Sequence, residues 1–195
     1  MNTTKEKWFI DASEASGLIL GDMAKTHNDS MAYVYPFDAF YSVYNGELLE
    51  DGMSKKLPFG LPKAVHLSIT KDARIKKEAY AFRSTIDGRR LKLSIEALTQ
   101  WLSLFEQVVL PFDLASVRLP SGCSTYIDVT DCTLEQKMSL SSHHDRALCV
   151  DDRHTFDEIL ALIRTFPQSK WFIFGELTLA QAHQLMIIEN VMMQT

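Results

Sequence analysis

One hairpin signal constrains the fold of this chain more than any other feature of its sequence. Residues 79–86 and 89–93 offer Phe82, Thr85, Leu91 and Leu93 to alternate with the charged positions, and Asp87-Gly88 lies between the two segments. Asp-Gly is typical of tight β-turns, because the central residues of such turns adopt a positive φ that glycine and aspartate tolerate best. The segment 79–93 is therefore predicted to form a two-stranded antiparallel hairpin that turns at Asp87-Gly88.

Two further turn signals also predict antiparallel hairpins. Asn45-Gly46 follows an aromatic and β-branched run that is predicted to end in a strand at Tyr44, and Pro120-Ser121-Gly122 separates the strand-like segments 114–119 and 124–129. Residues 47–63 hold several prolines and glycines and are predicted to form a surface loop. The pattern predicts an α+β fold, in which a mainly antiparallel sheet built from hairpins has three to five helices packed against it.

The helices are predicted from their caps and from apolar spacing. Ser94 precedes a stripe that recurs at steps of three and four residues, which favours a helix over 94–109 with one face in the core. Thr155 with Glu158 and Thr178 with Gln181 are capping boxes, and they predict helices over 155–166 and 178–193. The segment 133–140 is a shorter candidate.

Composition limits the class of protein. Of the 195 residues, 46% are hydrophobic and 23% are charged, which suits a single globular domain. The net charge of −5 argues against a protein whose affinity comes mainly from nucleic-acid phosphates. No run is long enough for a transmembrane helix, and three cysteines without regular spacing favour a reducing compartment. We expect a soluble cytoplasmic protein without direct membrane insertion.

One polar segment has the residue types of a metal site. It contains His143, His144, Asp145, Cys149, Asp151, Asp152 and His154. Structural zinc sites repeat short Cys-x₂₋₄-Cys or His-x₃₋₅-His pairs, and this spacing does not. The segment is predicted to be a polar loop without a metal. The chain also lacks a P-loop, a Rossmann fingerprint, a nucleophile elbow and a His-Glu-x-x-His motif, so we assign no cofactor and no catalytic residue.

Basic residues concentrate around the predicted hairpin. Residues 71–92 carry eight basic side chains against three acidic ones. A solvated hairpin edge protected by charge accounts for this pattern, and so does a surface for an anionic partner. The candidate anion-binding residues are Lys76, Lys77, Arg83, Arg89 and Arg90.

The predicted C-terminal helix is apolar on more than one side. A terminal helix of this kind is either enclosed by the core or leaves an apolar patch for another protein, and methionine suits adaptable interfaces. The candidate partner-binding residues are Leu185, Met186, Ile188, Val191, Met192 and Met193.

The hairpin segment resembles a known family over a short stretch. Phe82-Arg-Ser-Thr-Ile-Asp-Gly88, followed by Leu93 and Glu96, is similar to the Phe-x-Ser-x-Ile-Asp-Gly stretch of tRNA-guanine transglycosylases. The resemblance implies a TIM barrel with catalytic aspartates and a zinc site of cysteines and histidine. The Asp-Ser-Gly-Gly, nucleophile and zinc-cysteine motifs of that family have no counterpart here, and an Asp-Gly turn accounts for the same letters.

These observations favour a non-catalytic protein–protein interaction subunit, such as an adaptor, a chaperone-like component or an inhibitor. Small acidic subunits of bacterial secretion assemblies have this general profile. One alternative is an enzyme for a small or nucleotide-like substrate that uses loops 47–63 and 143–154. The other is nucleic-acid binding through the basic hairpin, which the net charge makes the weaker alternative.

Overall fold

A computed structural model describes residues 8–11, 32–44, 64–67, 73–76, 78–140, 144–150, 154–175 and 177–194. The predicted Asn45-Gly46 turn and the 47–63 loop lie outside the described residues, as do Lys77 and His143.

Eight parallel strands of the described chain close into a barrel, and their order around it follows their order in the sequence. Phe9 of the first strand pairs with both Ala32 and Gln194, so this strand closes the ring. The barrel strands are β1 (Trp8–Asp11), β2 (Ala32–Pro36), β3 (Ala64–His66), β7 (Gln107–Pro111), β8 (Ser124–Asp128), β9 (Asp145–Val150), β10 (Trp171–Gly175) and β11 (Val191–Gln194).

The barrel strands are apolar on both faces. In β7, Val108 and Leu110 belong to the large core cluster that includes helix residues, while Val109 belongs to a second cluster with Tyr126 and Phe172. Alternate residues of one strand therefore pack outward against helices and inward within the barrel. This double burial is why parallel strands are nearly continuous apolar runs rather than alternating ones.

A small antiparallel sheet lies between β3 and β7 in the chain, formed by β4 (Arg74–Ile75), β5 (Ala79–Arg83) and β6 (Arg90–Ser94). The predicted 79–93 hairpin is confirmed, since Tyr80 pairs with Leu93 and Arg83 with Arg90. Its turn is longer than a two-residue turn. Ser84 N donates to Arg89 O at 2.9 Å and Gly88 N to Ser84 O at 2.9 Å, and Gly88 has φ +71°.

Five α-helices occur in the described residues: α1 (Phe37–Tyr44), α2 (Ile95–Leu102), α3 (Leu134–Ser139), α4 (Phe156–Thr165) and α5 (Leu179–Met186). The predicted caps are confirmed. Ser94 Oγ accepts from Ala97 N, and both Thr155 and Thr178 form complete capping boxes. A short 3₁₀ turn, Phe112–Leu114, follows β7.

The inner face of the small sheet packs on α1 and α2. Phe37 of α1 meets Tyr80 at 5.9 Å between ring centroids, and Tyr41 meets Phe82 at 5.6 Å. Trp101 of α2 meets Tyr41 at 4.9 Å. This aromatic cluster fixes the small sheet against the helical side of the molecule.

One arginine is fully buried at the amino end of β9. The Arg146 side chain donates to the carbonyl oxygens of His144 (2.8 Å) and Leu140 (3.3 Å) and to Ser169 Oγ, and its guanidinium lies 4.0 Å above the Phe166 ring. It thereby joins the end of α3 to the segments that precede β9 and β10.

The prediction of a mainly antiparallel sheet is wrong, because the larger sheet is parallel throughout and, among the described strands, only β4 to β6 are antiparallel. The predicted hairpin of 114–119 with 124–129 does not form. β8 instead pairs with β7 and β9 in parallel. Residues 120–122 do form a turn, but this turn does not connect two antiparallel strands. It leads into β8, which runs parallel to β7.

The predicted strand that ends at Tyr44 is instead the helix α1. Three further segments also differ from the prediction. The helix that begins after Ser94 ends at Leu102, because 107–111 is a barrel strand, and the last helix ends at Met186, because 191–194 is another. The predicted polar loop at 143–154 contains the buried strand β9. Short apolar runs fit a helix or a buried strand equally well from periodicity alone. None of the helices in the described residues is long and apolar enough to cross a membrane.

Candidate functional site

A cavity of about 390 Å³ opens where the carboxyl ends of β3, β7, β8, β9 and β10 meet. Active sites of parallel α/β barrels lie at this end, because the loops that follow the strands converge there. The size is typical of a small-molecule pocket. It is lined by His66, Leu67, Pro111, Phe112, Asp113, Asp128, Thr130, Asp131, Cys132, Gln136, Cys149 and Phe174.

His66 ends β3 and faces Asp128, which ends β8. Its Nε2 lies 3.7 Å from Asp128 Oδ2, beyond hydrogen-bond distance. Nε2 is buried and has no hydrogen-bond partner among the described residues. The ring also lies 5.0 Å from that of Phe174, measured between centroids. The structure thus places an imidazole nitrogen within ion-pair distance of a carboxylate but beyond hydrogen-bond distance.

Asp128 is held from its other oxygen. Oδ1 accepts from Thr130 N at 2.9 Å and from Thr130 Oγ1 at 2.6 Å, and Thr130 Oγ1 accepts from Cys149 N at 2.8 Å. This chain of bonds ties the end of β8 to β9 and directs Oδ2 toward His66. Burial raises the pKa of Asp128, but the combined effect of His66 and Thr130 outweighs burial and holds its pKa below the usual value. Asp128 is therefore ionised at neutral pH.

Cys132 at the cavity is not an activated nucleophile. Burial, and then the neighbouring Asp128 carboxylate, raise the pKa of Cys132 to about 11. A thiol with this pKa remains protonated at neutral pH and is a weak nucleophile. Within the described parts of the chain, no group of three His, Cys, Asp or Glu side chains is arranged to hold a metal ion.

The cavity is acidic and partly aromatic. Its lining includes the carboxylates of Asp113, Asp128 and Asp131, and none of its described lining residues is a lysine or an arginine. Phe112 and Phe174 add apolar ring surface. Such a lining favours a ligand that donates hydrogen bonds or carries positive charge.

Gly175 sets how closely β10 approaches β9 beside the cavity. It has φ +105°, and a Cβ at this position would lie 2.4 Å from Val150 O and 3.2 Å from Cys149 Sγ. Only glycine allows this approach. The position of Cys149 in the cavity lining therefore depends on the absence of a side chain at Gly175.

The structure distributes the predicted partner-binding residues between core and surface. Leu185, Val191 and Met193 are buried, Met192 is half-buried in the barrel cluster, and Met186 and Ile188 lie at or near the surface. The large apolar side chains most exposed on this side are Leu179 at 87% and Ile187 at 75%.

The predicted basic patch is brought together only in part. Arg83 and Arg90 are paired across strands, whereas Arg89 lies in the turn and its Nε is 3.1 Å from Asp87 Oδ2. Lys76 is exposed beyond the end of β4.

Sequence reasoning missed His66, Asp128 and Thr130. A signal was present, since each follows or ends an apolar strand, and polar residues at the carboxyl ends of parallel strands converge on one site. That signal has meaning only when the sheet is known to be parallel.

No family model and no curated protein matches this chain. The stretch at 82–96 that resembles tRNA-guanine transglycosylases begins in the small antiparallel sheet and not in a barrel strand. The Asp87-Gly88 turn of that stretch lies in the hairpin outside the barrel.

Proposed function

We propose that the chain binds a small molecule at the carboxyl ends of its barrel strands and catalyses a proton transfer there, with His66 carrying the proton. The observation that supports this most directly is the buried, unbonded Nε2 of His66 beside the Asp128 carboxylate. A buried polar atom without a partner costs about 1–3 kcal/mol. A ligand, or a small rotation of the His66 ring, that completes a hydrogen bond to Nε2 removes this cost.

The two side chains have different roles in this proposal. Asp128 is fixed by Thr130 and stays ionised, so it favours the His66 tautomer that has its proton on Nε2. The other ring nitrogen, Nδ1, is then the proton acceptor. Asp128 also stabilises the imidazolium that forms when Nδ1 takes the proton, as carboxylates do beside catalytic histidines.

The lining indicates the class of ligand. Three carboxylates favour a molecule with several hydrogen-bond donors or with positive charge, and Phe112 and Phe174 favour a flat or apolar part. A small amine or an amino-substituted ring has both properties. Protonated Cys132 adds only a weak donor.

A deuterium-exchange screen tests this function across many candidate substrates at once. The protein would be incubated in D₂O with pooled small amines and nucleosides, and mass spectrometry would detect compounds that take up non-exchangeable deuterium. For a compound that responds, His66→Gln should lower the uptake rate about 10²-fold or more, because general base catalysis contributes at least that much. His183→Gln, at an exposed histidine of α5, is the matched control.

Two results would contradict the proposal. One is a screen in which no compound takes up deuterium and no compound shifts the melting temperature of the protein. The other is an uptake rate that His66→Gln leaves unchanged while the variant keeps the wild-type circular dichroism spectrum.

A second candidate is a non-catalytic interaction subunit of the cytoplasm, and the exposed apolar residues at α5 favour it. Leu179 and Ile187 are large side chains that are 87% and 75% exposed, and the three cysteines are free thiols, as in a reducing compartment. Leu179→Glu with Ile187→Glu should abolish capture of a cellular partner without lowering the melting temperature. If capture persists in this variant, α5 is not the interface.

A further inference from the structure

Arg146 is a buried cation whose hydrogen-bond acceptors in the described chain are all uncharged. Its side chain is fully buried, and its terminal nitrogens donate to the carbonyl oxygens of His144 and Leu140 and to Ser169 Oγ. Buried charges in proteins are normally paired with an opposite charge, because it is costly to remove an isolated ion from water. The guanidinium of Arg146 is therefore held by hydrogen bonds that do not neutralise it.

The acidic residue that precedes Arg146 in the chain supplies only part of the missing charge. Asp145 Oδ1 accepts from Lys170 N at 2.9 Å, in the connection to the neighbouring strand. Burial lowers the pKa of Arg146 by more than the attraction to Asp145 raises it. A negative charge in direct contact with the guanidinium would therefore stabilise the folded chain.

Two neighbouring buried side chains each have an N–H group without an acceptor. Arg146 Nε and Trp171 Nε1 are both buried and have no hydrogen-bond partner in the described structure. The two residues are register partners on the parallel strands β9 and β10, so their side chains leave the sheet on the same face. The Phe166 ring adjoins both, with its centroid 4.0 Å from the guanidinium carbon of Arg146 and 6.4 Å from the ring centroid of Trp171. Two unused donors, one of them cationic, are thus enclosed beside the same aromatic ring.

We propose that one small inorganic anion, chloride or a halide of similar size, binds between Arg146 Nε and Trp171 Nε1. The anion accepts a charge-assisted hydrogen bond from the guanidinium and a second bond from the indole N–H. Both side chains are at most 1% exposed, which excludes a macromolecule or a large organic anion as the ligand. A water molecule accepts the same two bonds but leaves the charge of Arg146 uncompensated, so the buried cation favours the anion.

This anion site is separate from the chemistry at His66. Arg146 and Trp171 lie at the amino ends of β9 and β10, whereas the cavity is lined from the carboxyl ends of the same strands. An anion held by both side chains links two neighbouring barrel strands. The stability of the barrel then depends on the halide concentration, because a ligand that binds only the folded state stabilises it.

Thermal unfolding in chloride and in gluconate at equal ionic strength tests the proposal. The protein would first be unfolded and refolded in sodium gluconate, which removes chloride and supplies an anion too large to be enclosed at this position. Chloride added in place of gluconate should then raise the melting temperature of wild type along a saturating curve, by about 5–10 °C at about a hundredfold excess over its Kd.

Two tryptophan variants locate the effect. Trp171→Phe removes one donor and keeps most of the ring, so the affinity for chloride should fall about tenfold or more, because a bond to a charged group is lost. Trp101→Phe is the matched control, since Trp101 is equally buried but packs against Phe40 and Tyr41. It should keep the wild-type chloride dependence even where its melting temperature is lower.

Crystals of wild type grown in sodium bromide give a check that depends on no variant. An anomalous difference peak is expected in contact with both Arg146 Nε and Trp171 Nε1. The proposal is overturned if no such peak occurs there, which leaves water alone as the acceptor, or if the wild-type melting temperature is the same in chloride and in gluconate. It is also overturned if Trp171→Phe keeps the full chloride effect, or if Trp101→Phe loses it to the same extent.

Discussion

Replacing Gly175 with alanine is expected to destabilise the barrel strongly, because two separate costs coincide there. The first is backbone strain, since φ +105° is a conformation that L-residues rarely adopt and costs about 1–3 kcal/mol. The second is steric, since the new Cβ would lie 2.4 Å from Val150 O and β10 must move away from β9. Forced shifts in a packed region cost about 1–3 kcal/mol.

The sum is a loss of about 2–6 kcal/mol, a large fraction of the total stability of most domains. Gly122 provides a matched control, since its φ is +113° and a Cβ there meets no atom of the described structure within 4 Å. Gly122→Ala therefore carries the backbone cost without the steric one. The difference between the two variants, about 1–3 kcal/mol, isolates the contact between β10 and β9.

Urea unfolding followed by tryptophan fluorescence measures both variants, because Trp101 and Trp171 are buried and report on loss of the core. The urea midpoint should fall further for Gly175→Ala than for Gly122→Ala, with unchanged slopes. If the two variants agree to within about 0.5 kcal/mol, the close approach at Gly175 does not limit stability and the steric argument fails.

Three more predictions concern the core and the site. Leu102 is fully buried, so Leu102→Ala should lower the free energy of unfolding, measured with urea, by about 2–5 kcal/mol. Leu134 is 69% exposed, so Leu134→Ala should change that free energy by no more than about 0.5 kcal/mol. Arg146→Leu should cost at least about 1–3 kcal/mol, because the Leu140 carbonyl and Ser169 Oγ lose a buried donor; an unchanged melting temperature would contradict this. Folding lowers the pKa of Asp128, so the ionised carboxylate contributes fully to the free energy of unfolding above about pH 4, and this contribution is lost as the pH falls further. The free energies of unfolding of Asp128→Asn and of wild type should therefore converge as the two proteins are titrated with acid.

Local interactions made part of this fold predictable. Ser94, Thr155 and Thr178 each cap a helix with bonds to residues three positions away, and the Asp87-Gly88 hairpin closes within one short segment. These contacts do not depend on the rest of the chain.

The parallel barrel was not predictable in the same way. A parallel pair joins strands that are separated by a connection, and nothing in the apolar run at 171–175 specifies β9 and β11 as its neighbours. The sequence predicts that the last helix continues through 191–193, because Val191 and Met193 suit either a helix or a buried strand. His66 and Asp128 could not be recognised as a site for the same reason, since only the register of β3, β7 and β8 brings them together.

The closed barrel has a consequence for aggregation. A closed sheet presents no unpaired strand edge, so within the described chain the free edges belong to β4 and β6 of the small sheet. β4 has only two residues, and β6 carries Arg90 and Lys92 on its exposed side. Charge at an edge strand prevents pairing with another molecule. Neutralising Arg90 and Lys92 would therefore remove this protection from the described sheet that has free edges. We expect such variants to aggregate at lower concentrations than the wild-type chain.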